Sequence, residues 1–301
     1  MRICIARFLF AWTDPARNSP LDCFGAKANP SLGITVNIDK VQDACNSAMQ
    51  NPAEENSFRQ LRLNQWVKQA VRWMPMDKWN ACAFEVDEKA LRGRVCYGGL
   101  DLSSTTDVTA FVLVFPPRTD DEKYIVLLFF WLPEDNIDLR VNRDHVPYDV
   151  WKKQGLFNTT EGNVIHYGYV EKFIAELGEK YSIKEIAFDR WGATQVAQNL
   201  DNAGFTVVQF GQGMGSMSPP TKELMNLVLE KRIAHGGNPV LSWMVDNLTV
   251  VQDDAGNIKP SKSKSTEKID GAVAMIMALD RAIKCGADSG SIYDTRGFWV
   301  F

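Results

Sequence analysis

Val95-Cys-Tyr-Gly-Gly-Leu-Asp101 is followed by Leu102-Ser-Ser-Thr-Thr106 and by Asp107-Val-Thr-Ala-Phe-Val-Leu-Val-Phe115. The first segment reads as a strand that ends on a carboxylate, the second as a turn. The third reads as a strand that is continuously apolar and β-branched in its middle. Pro116-Pro-Arg-Thr-Asp-Asp-Glu122 reads as a hairpin loop, and Tyr124-Ile-Val-Leu-Leu-Phe-Phe-Trp131 as a third strand. Three strands with such short links form an antiparallel meander.

Downstream the organisation changes. Tyr169 to Lys180 has helical period, with Val170, Phe173, Ile174 and Leu177 on one face. Glu185-Ile-Ala-Phe-Asp189 is a short strand, again ending on Asp; Thr194 to Asn202 is helical and stops at Gly204. Phe205 to Phe210 is a strand, Glu223 to Ile233 a helix closed by His235-Gly-Gly237, and Lys268 to Lys284 a last helix stopped by Gly286. Alternating helices and strands imply parallel crossovers. The expected fold is therefore α/β, with a mixed sheet made of the antiparallel meander plus parallel strands and flanked by helices.

Upstream, residues 13–36 are rich in Pro, Asn, Asp and Gly and read as irregular. Helices are expected from Ile38 to Gln50, halted at Asn51-Pro52, and from Glu54 to about Val67. A connector carrying Trp66, Trp73 and Trp79 follows; packing onto a domain and base stacking are its two readings. The apolar start, Met1 to Trp12, resembles a secretion signal only weakly, because Arg7 splits it and no small-residue cleavage site follows; a buried strand or a fragment end is the reading preferred.

The chain has 301 residues, 33 Lys+Arg against 37 Asp+Glu, and a formal net charge of -4. Its 45% hydrophobic content is that of a globular protein and argues against a disordered chain. No stretch approaches the roughly 18 apolar residues of a membrane span, so no membrane partner is expected. A strongly basic nucleic-acid coat is also excluded. The cysteines at 4, 23, 45, 82, 96 and 285 lack C-x-x-C spacing, so they read as reduced thiols rather than zinc or redox pairs. The three histidines, at 145, 166 and 235, stand far apart and argue against zinc too.

Asp101 and Asp189 each end a strand. In a sheet with a parallel portion, strand ends at one edge form the usual ligand crevice, although a single Asp there is more often a turn-former or cap. Asp270 opens Asp270-Gly-Ala-Val-Ala-Met-Ile-Met-Ala-Leu279, a helix apolar on every face and hence buried. Val273, Ala274 and Met277 share its face, so its carboxylate is partly desolvated, which is costly unless it is paired or bound to a cation. The alternative is an acid at the helix N-terminus. Three converging carboxylates make a hard-oxygen site suited to Mg²⁺ or Mn²⁺. Two such ions suit phosphodiester hydrolysis. Read this way the site is all carboxylate, without a protein cation of its own.

Gly98-Gly-Leu-Asp-Leu-Ser-Ser-Thr-Thr-Asp-Val-Thr-Ala110 resembles the first nuclease motif of the large terminase subunit of tailed bacteriophages. Ile186-Ala-Phe-Asp-Arg-Trp-Gly192 resembles its second acidic motif, and Glu267-Lys-Ile-Asp-Gly-Ala-Val-Ala-Met-Ile-Met-Ala-Leu279 its third. Phe210-Gly-Gln-Gly213, Ser216 to Leu224, His235 to Leu241 and Gly256 to Pro260 are similar to the family as well. The resemblance covers residues 94 to 283. It implies a ribonuclease H-like nuclease domain, a metal-dependent endonuclease that cuts concatemeric double-stranded DNA during viral packaging, with two Mg²⁺ or Mn²⁺ ions. Asp101 is expected to bridge both ions, with Asp189 and Asp270 completing one each. The other reading is a remnant of the same fold that only docks to DNA or to packaging partners.

The family's motor half carries a G-x-x-x-x-G-K-[ST] phosphate loop, which is not found in this sequence, so no ATPase activity is expected of the chain. Trp12 to Pro15 and Ala28 to Gly33 resemble the family's stretch near the end of the ATPase domain, and Phe58 to Trp66 the link to the nuclease. The expected organisation is a motor-domain remnant with linker helices over 1–70, a connector over 71–93, the nuclease domain over 94–285 and a tail over 286–301. The resemblance implies double-stranded DNA, the terminase small subunit and the portal protein as partners, and the cytoplasm of a bacterial host as the location. Lys259, Lys262, Lys264 and Lys268, in a Ser-rich stretch before the Asp270 helix, are either a solvated loop or contacts to the DNA backbone. Asp107 is either an acid supporting the metal ligands from behind or a plain strand-start acid. Asp280, about 15 Å along the helix from Asp270, is left out of the site. Gly211, Gly213 and Gly215 read as a flexible loop beside the site rather than a dinucleotide loop, because the spacing is not G-x-G-x-x-G.

Overall fold

The structure is a computed structural model and describes residues 28–50, 52–64, 73–103, 108–189, 194–265 and 267–286. The N-terminal apolar segment, Trp66, Asp107 and the tail beyond 286 lie outside the described residues. The chain divides into two compact units, Met1–Pro75 and Met76–Phe301. In the first, α1 (Ile38–Gln50) starts after Asn37, whose side-chain oxygen accepts the Asp39 amide at 2.7 Å. α2 (Pro52–Leu63) begins two residues earlier than expected, because proline, with no N–H to leave unpaired, fits a first helical turn. Cys45, Ala48 and Phe58 form the small core between the two helices.

In the second unit a mixed sheet runs in the order β4-β3-β2-β1-β5-β6, with β7 beside β3. The meander is as expected: β1 (Val95–Asp101), β2 (Thr109–Phe115) and β3 (Tyr124–Pro133) pair antiparallel in turn. β5 (Ser182–Asp189) pairs parallel with β1, and β6 (Val207–Phe210) parallel with β5. Two short strands of this sheet were not read from the sequence: β4 (Asn158–Thr160) and β7 (Ile233–Ala234), both parallel to β3. All seven residues of β2 are buried, which accounts for its unbroken apolar run.

Short helix α3 (Met76–Asn80) precedes the sheet; α4 (Ile137–Asp144) and α5 (Tyr148–Lys153) follow β3. α6 (Tyr167–Lys180) and α7 (Thr194–Asn202) flank β5. After β6 come α8 (Met214–Leu229), α9 (Pro239–Asn247), the hairpin β8 (Val250–Gln252) and β9 (Ile258–Pro260), and α10 (Asp270–Gly286). Side chains alternate across the sheet. Cys96, Leu100, Phe111, Leu113, Phe115, Ile186 and Phe188 point into one core with Val170, Ile174 and Leu177 of α6 and Val196 and Leu200 of α7. The opposite parity of β1, β2 and β5 faces α10, whose residues from Asp270 to Asp280 are all buried.

α8 differs from the helix expected over 223–233. It starts at Met214 and carries Pro219 and Pro220 inside. Those prolines cannot donate to the carbonyls of Gly215 and Ser216 four residues back. Both of those residues are exposed, so water can take the free carbonyls and the helix continues. It ends at Leu229 because Ile233 and Ala234 pair with Tyr124 and Ile125 as β7.

Residues 76–93, read as a connector, pack into the second unit. Trp79 is fully buried and stacks on His235, with centroids 4.1 Å apart and planes 7° from parallel, so it is not presented for base stacking. The Trp79 carbonyl accepts from His235 Nε2 at 2.9 Å, which fixes the neutral tautomer with its proton on that nitrogen. Burial, opposed by that hydrogen bond, pushes the His235 pKa below the ordinary histidine value. A histidine of lowered pKa takes up a proton more readily when unfolded, so its share of stability is full above about pH 6.5 and declines as pH falls below it. The difference in melting temperature between His235→Phe and the wild type should therefore shift in favour of the variant as pH falls from 7.5 to 5.5. A difference that stays constant over that range would assign the effect elsewhere.

Candidate functional site

The site is set by where α10 crosses the sheet. A Cβ on Gly99 would lie 2.0 Å from the Ala274 carbonyl oxygen and 2.8 Å from the Ala278 nitrogen. Only glycine allows the helix backbone this close to β1. Asp101 stands two residues along the strand on the same face, and Asp270 one turn before Ala274. The Gly99–Ala274 contact therefore brings the strand end to the helix start. On β5, Glu185, Ala187 and Asp189 share that face, and Arg281 of α10 donates to Glu185 at 2.6 Å. Leu100 is in register with Phe188, so Asp101 and Asp189 follow side by side on adjacent parallel strands, about 5 Å apart at the backbone. The structure thus brings Asp101, Asp189 and Asp270 to one edge of one face.

Asp101 and Asp270 are 4% and 5% exposed. Between them lies the Lys262 ammonium, 2.8 Å from Asp101 Oδ2 and 2.8 Å from Asp270 Oδ1. The expectation of a site without a protein cation is corrected here: the turn after β9 folds Lys262 back over the carboxylates. Burial pushes the Asp101 carboxyl up to about 7, against the pull of Lys262, and the charges of Asp270 and Asp189 push the same way as burial. Lys262 is driven the other way: burial opposes its charge, and the Asp101 and Asp270 carboxylates outweigh burial and raise its pKa. The second oxygen of Asp270, Oδ2, is buried without a hydrogen-bond partner. The base of the loop after Asp101 is pinned: Ser103 donates its amide to Thr109 Oγ1 at 3.1 Å, and Tyr167 its hydroxyl to the Ser103 carbonyl at 2.5 Å.

Asp189 lines an open pocket of about 570 Å³ together with Gly211, Gln212, Gly213, Gly215, Ser216 and Lys259. Gly213 caps α8, whose first turn forms one wall; Gly215 belongs to that helix and not to a loop. Lys259 reaches the Gln212 carbonyl at 3.3 Å. Of the other candidates, Lys264 is exposed on the turn. Lys268 lends positive charge to Asp144 at the end of α4. Asp280 is buried but paired with Lys284 at 2.8 Å, away from the strand ends.

The donor set suits a hard divalent ion: carboxylate oxygens only, one of them buried and unsatisfied, with an ammonium already standing as cation between two of the acids. Among the described residues no group of three or more His, Cys, Asp or Glu side chains is close enough to hold a metal as it stands. What the structure presents is the Asp101–Asp270 pair, with Asp189 on the neighbouring strand. Sequence reasoning named Lys262 as a solvated-loop or DNA-backbone residue but missed its pairing with Asp101 and Asp270, and it missed Gly99 as the contact that sets the site. The signal for the second was present, since a glycine inside an apolar strand marks a close backbone approach.

A β3-β2-β1-β5-β6 sheet with acids at the carboxyl edge of its parallel strands defines a ribonuclease H-like domain. The family model of the terminase large subunit endonuclease domain matches residues 5–285, and the chain belongs to that family. It is 37% identical over 272 residues to the terminase large subunit of Enterobacteria phage HK97, covering 90% of this chain and 52% of that protein. It is 28% identical over 286 residues to protein YmfN of Escherichia coli K12, covering 90% of this chain and 60% of that protein. The crystal structure of the HK97 large terminase matches with a TM-score of 0.63 at 37% identity, over 86% of this chain and 53% of that one. The chain spans little more than half the length of these relatives. Among the described residues no helix is long and apolar enough to cross a membrane.

Proposed function

We propose that this chain cuts double-stranded DNA as the divalent-metal-dependent endonuclease domain of a phage packaging machine, working on concatemeric DNA beside a small terminase subunit and a portal protein. The observation that carries the reading is the pair of buried carboxylates, Asp101 and Asp270, sharing one cation while Asp270 Oδ2 stays buried without a partner. Asp101, between Asp189 on β5 and Asp270 on α10, would be the acid shared between two Mg²⁺ or Mn²⁺ ions, and Asp189 and Asp270 would each help hold one. When bound, such ions activate water and neutralise charge on the scissile phosphate. The chain's own residues do the rest. Asp189 opens onto the pocket, where the α8 N-terminus and Lys259 attract and orient the DNA backbone. Tyr167 and Thr109 hold the Asp101 strand end still.

The test is nicking of supercoiled plasmid. Open-circular and linear products should form with Mg²⁺ or Mn²⁺, without sequence preference, and vanish with EDTA. Cleavage persisting in EDTA would remove the metal from the account. Absence of cleavage by a chain that binds the metal would leave a non-catalytic DNA-docking domain.

A further inference from the structure

The Lys262 ammonium stands where a metal reading needs a cation, and this placement is built rather than incidental. The turn that carries it is pinned by its main chain. Ser265 Oγ donates to the Ser261 carbonyl at 2.8 Å, the amides of Lys264 and Ser265 donate to that same carbonyl, and Ser265 Oγ accepts the Thr249 amide at 3.1 Å. The side chain is 49% exposed along its length while its tip touches two carboxylates that are 5% and 7% exposed. A fixed backbone and an exposed four-carbon stem let the ammonium leave the acids without unfolding the turn. One positive charge also under-neutralises the site once both acids are ionised: Asp101 and Asp270 then carry two negative charges against one ammonium, and Asp189 stands beside Asp101 on the adjacent strand.

We propose that Lys262 is a surrogate cation: it holds Asp101 and Asp270 together in the metal-free chain, is released when a divalent ion takes those oxygens, and then offers its ammonium to the phosphate backbone of bound DNA. This inference rests on the metal-dependent reading above. A dication attracts the same carboxylates twice as strongly as an ammonium and repels the ammonium beside it. A freed lysine at the edge of the acidic site is left next to the groove where phosphates arrive, and phosphate contact is its strongest available partner. The two states of this side chain are then a bridge between Asp101 and Asp270 and a contact to the DNA backbone, and the solvated-loop reading is neither of them.

Two measurements on the whole chain test this, neither of them a rate of cleavage. The first is amine labelling followed by mass spectrometry, with Lys264 as an exposed internal reference. Lys262 should label several-fold more slowly than Lys264 without metal and approach the Lys264 rate on addition of Mn²⁺, and duplex DNA added with Mn²⁺ should protect it again. The second is calorimetric titration of Mn²⁺, in which Lys262→Met should bind about tenfold more tightly than the wild type because no internal cation has to be displaced. Mn²⁺ binding that leaves the relative labelling of Lys262 unchanged, or weaker Mn²⁺ binding by Lys262→Met, would overturn the surrogate role and spare the metal reading. No Mn²⁺ binding by either protein would overturn both.

Discussion

Asp101→Asn should lower metal-dependent DNA cleavage by on the order of a thousandfold and raise the stability of the metal-free chain above pH 7. The first effect follows from position. Asp101 neighbours both other acids, so losing its charge weakens every cation site built there, whereas Asp189→Asn or Asp270→Asn removes one. The second follows from the raised pKa, to about 7, caused by burial and by Asp270 and Asp189 against the pull of Lys262. A carboxyl that is harder to ionise folded than unfolded binds its proton more tightly in the fold. Stability of the metal-free protein therefore falls as pH rises from the ordinary carboxylate value of about 4 towards 7, and the loss is complete above 7. Asn carries no such proton, so at pH 8 the variant should melt about 5 °C higher, and the gap should close towards pH 4. Saturating Mn²⁺ should reverse the order, because ligand binding stabilises the wild type more. A variant that melts lower than wild type at pH 8 without metal would show that the Lys262 pair outweighs desolvation.

Gly99→Ala should be the most damaging glycine-to-alanine change among the described residues. Its Cβ would fall 2.0 Å from one backbone atom of α10 and 2.8 Å from another, and backbone cannot rotate aside as a side chain can. Relief requires α10 to lift from β1, and that helix is buried along the length that meets the sheet. A cost of about 3 kcal/mol, at the upper end for overpacking, corresponds to a drop of roughly 10 °C in melting temperature. The lift also separates Asp270 from Asp101, so the folded fraction should bind Mn²⁺ more weakly. Thermal unfolding with and without Mn²⁺ reads both effects. A melting temperature within a degree of wild type would mean that the helix does not rest on this glycine.

The three acids were legible because each sits at a point the local pattern marks: Asp101 and Asp189 end apolar strands, and Asp270 opens a helix with no polar face. Their convergence was also implied, since parallel neighbours end at one edge. Lys262 was legible as a basic residue close to the site but not as the partner of Asp101 and Asp270. In a polar, Ser-rich stretch a lysine looks solvated, and only the β8–β9 hairpin and the pinned turn behind it reveal that it folds back over two carboxylates. α8 was read short because Pro219-Pro220 looks like a break, and nothing local says that the carbonyls it strands lie in solvent. α9 was missed although its signals were present: Asn238 accepts the amides of Val240 and Leu241, and Pro239 opens the helix. Asp107 remains a proposal, since it lies outside the described residues.

The most direct test of the metal-dependent site is anomalous scattering from crystals of the chain soaked in Mn²⁺. The account predicts two Mn²⁺ peaks, one within coordinating distance of Asp101 and Asp270 and one of Asp101 and Asp189, with the Lys262 side chain turned out of the pair. Peaks confined to other residues, or no peak at the strand ends while Lys262 still bridges Asp101 and Asp270, would contradict it.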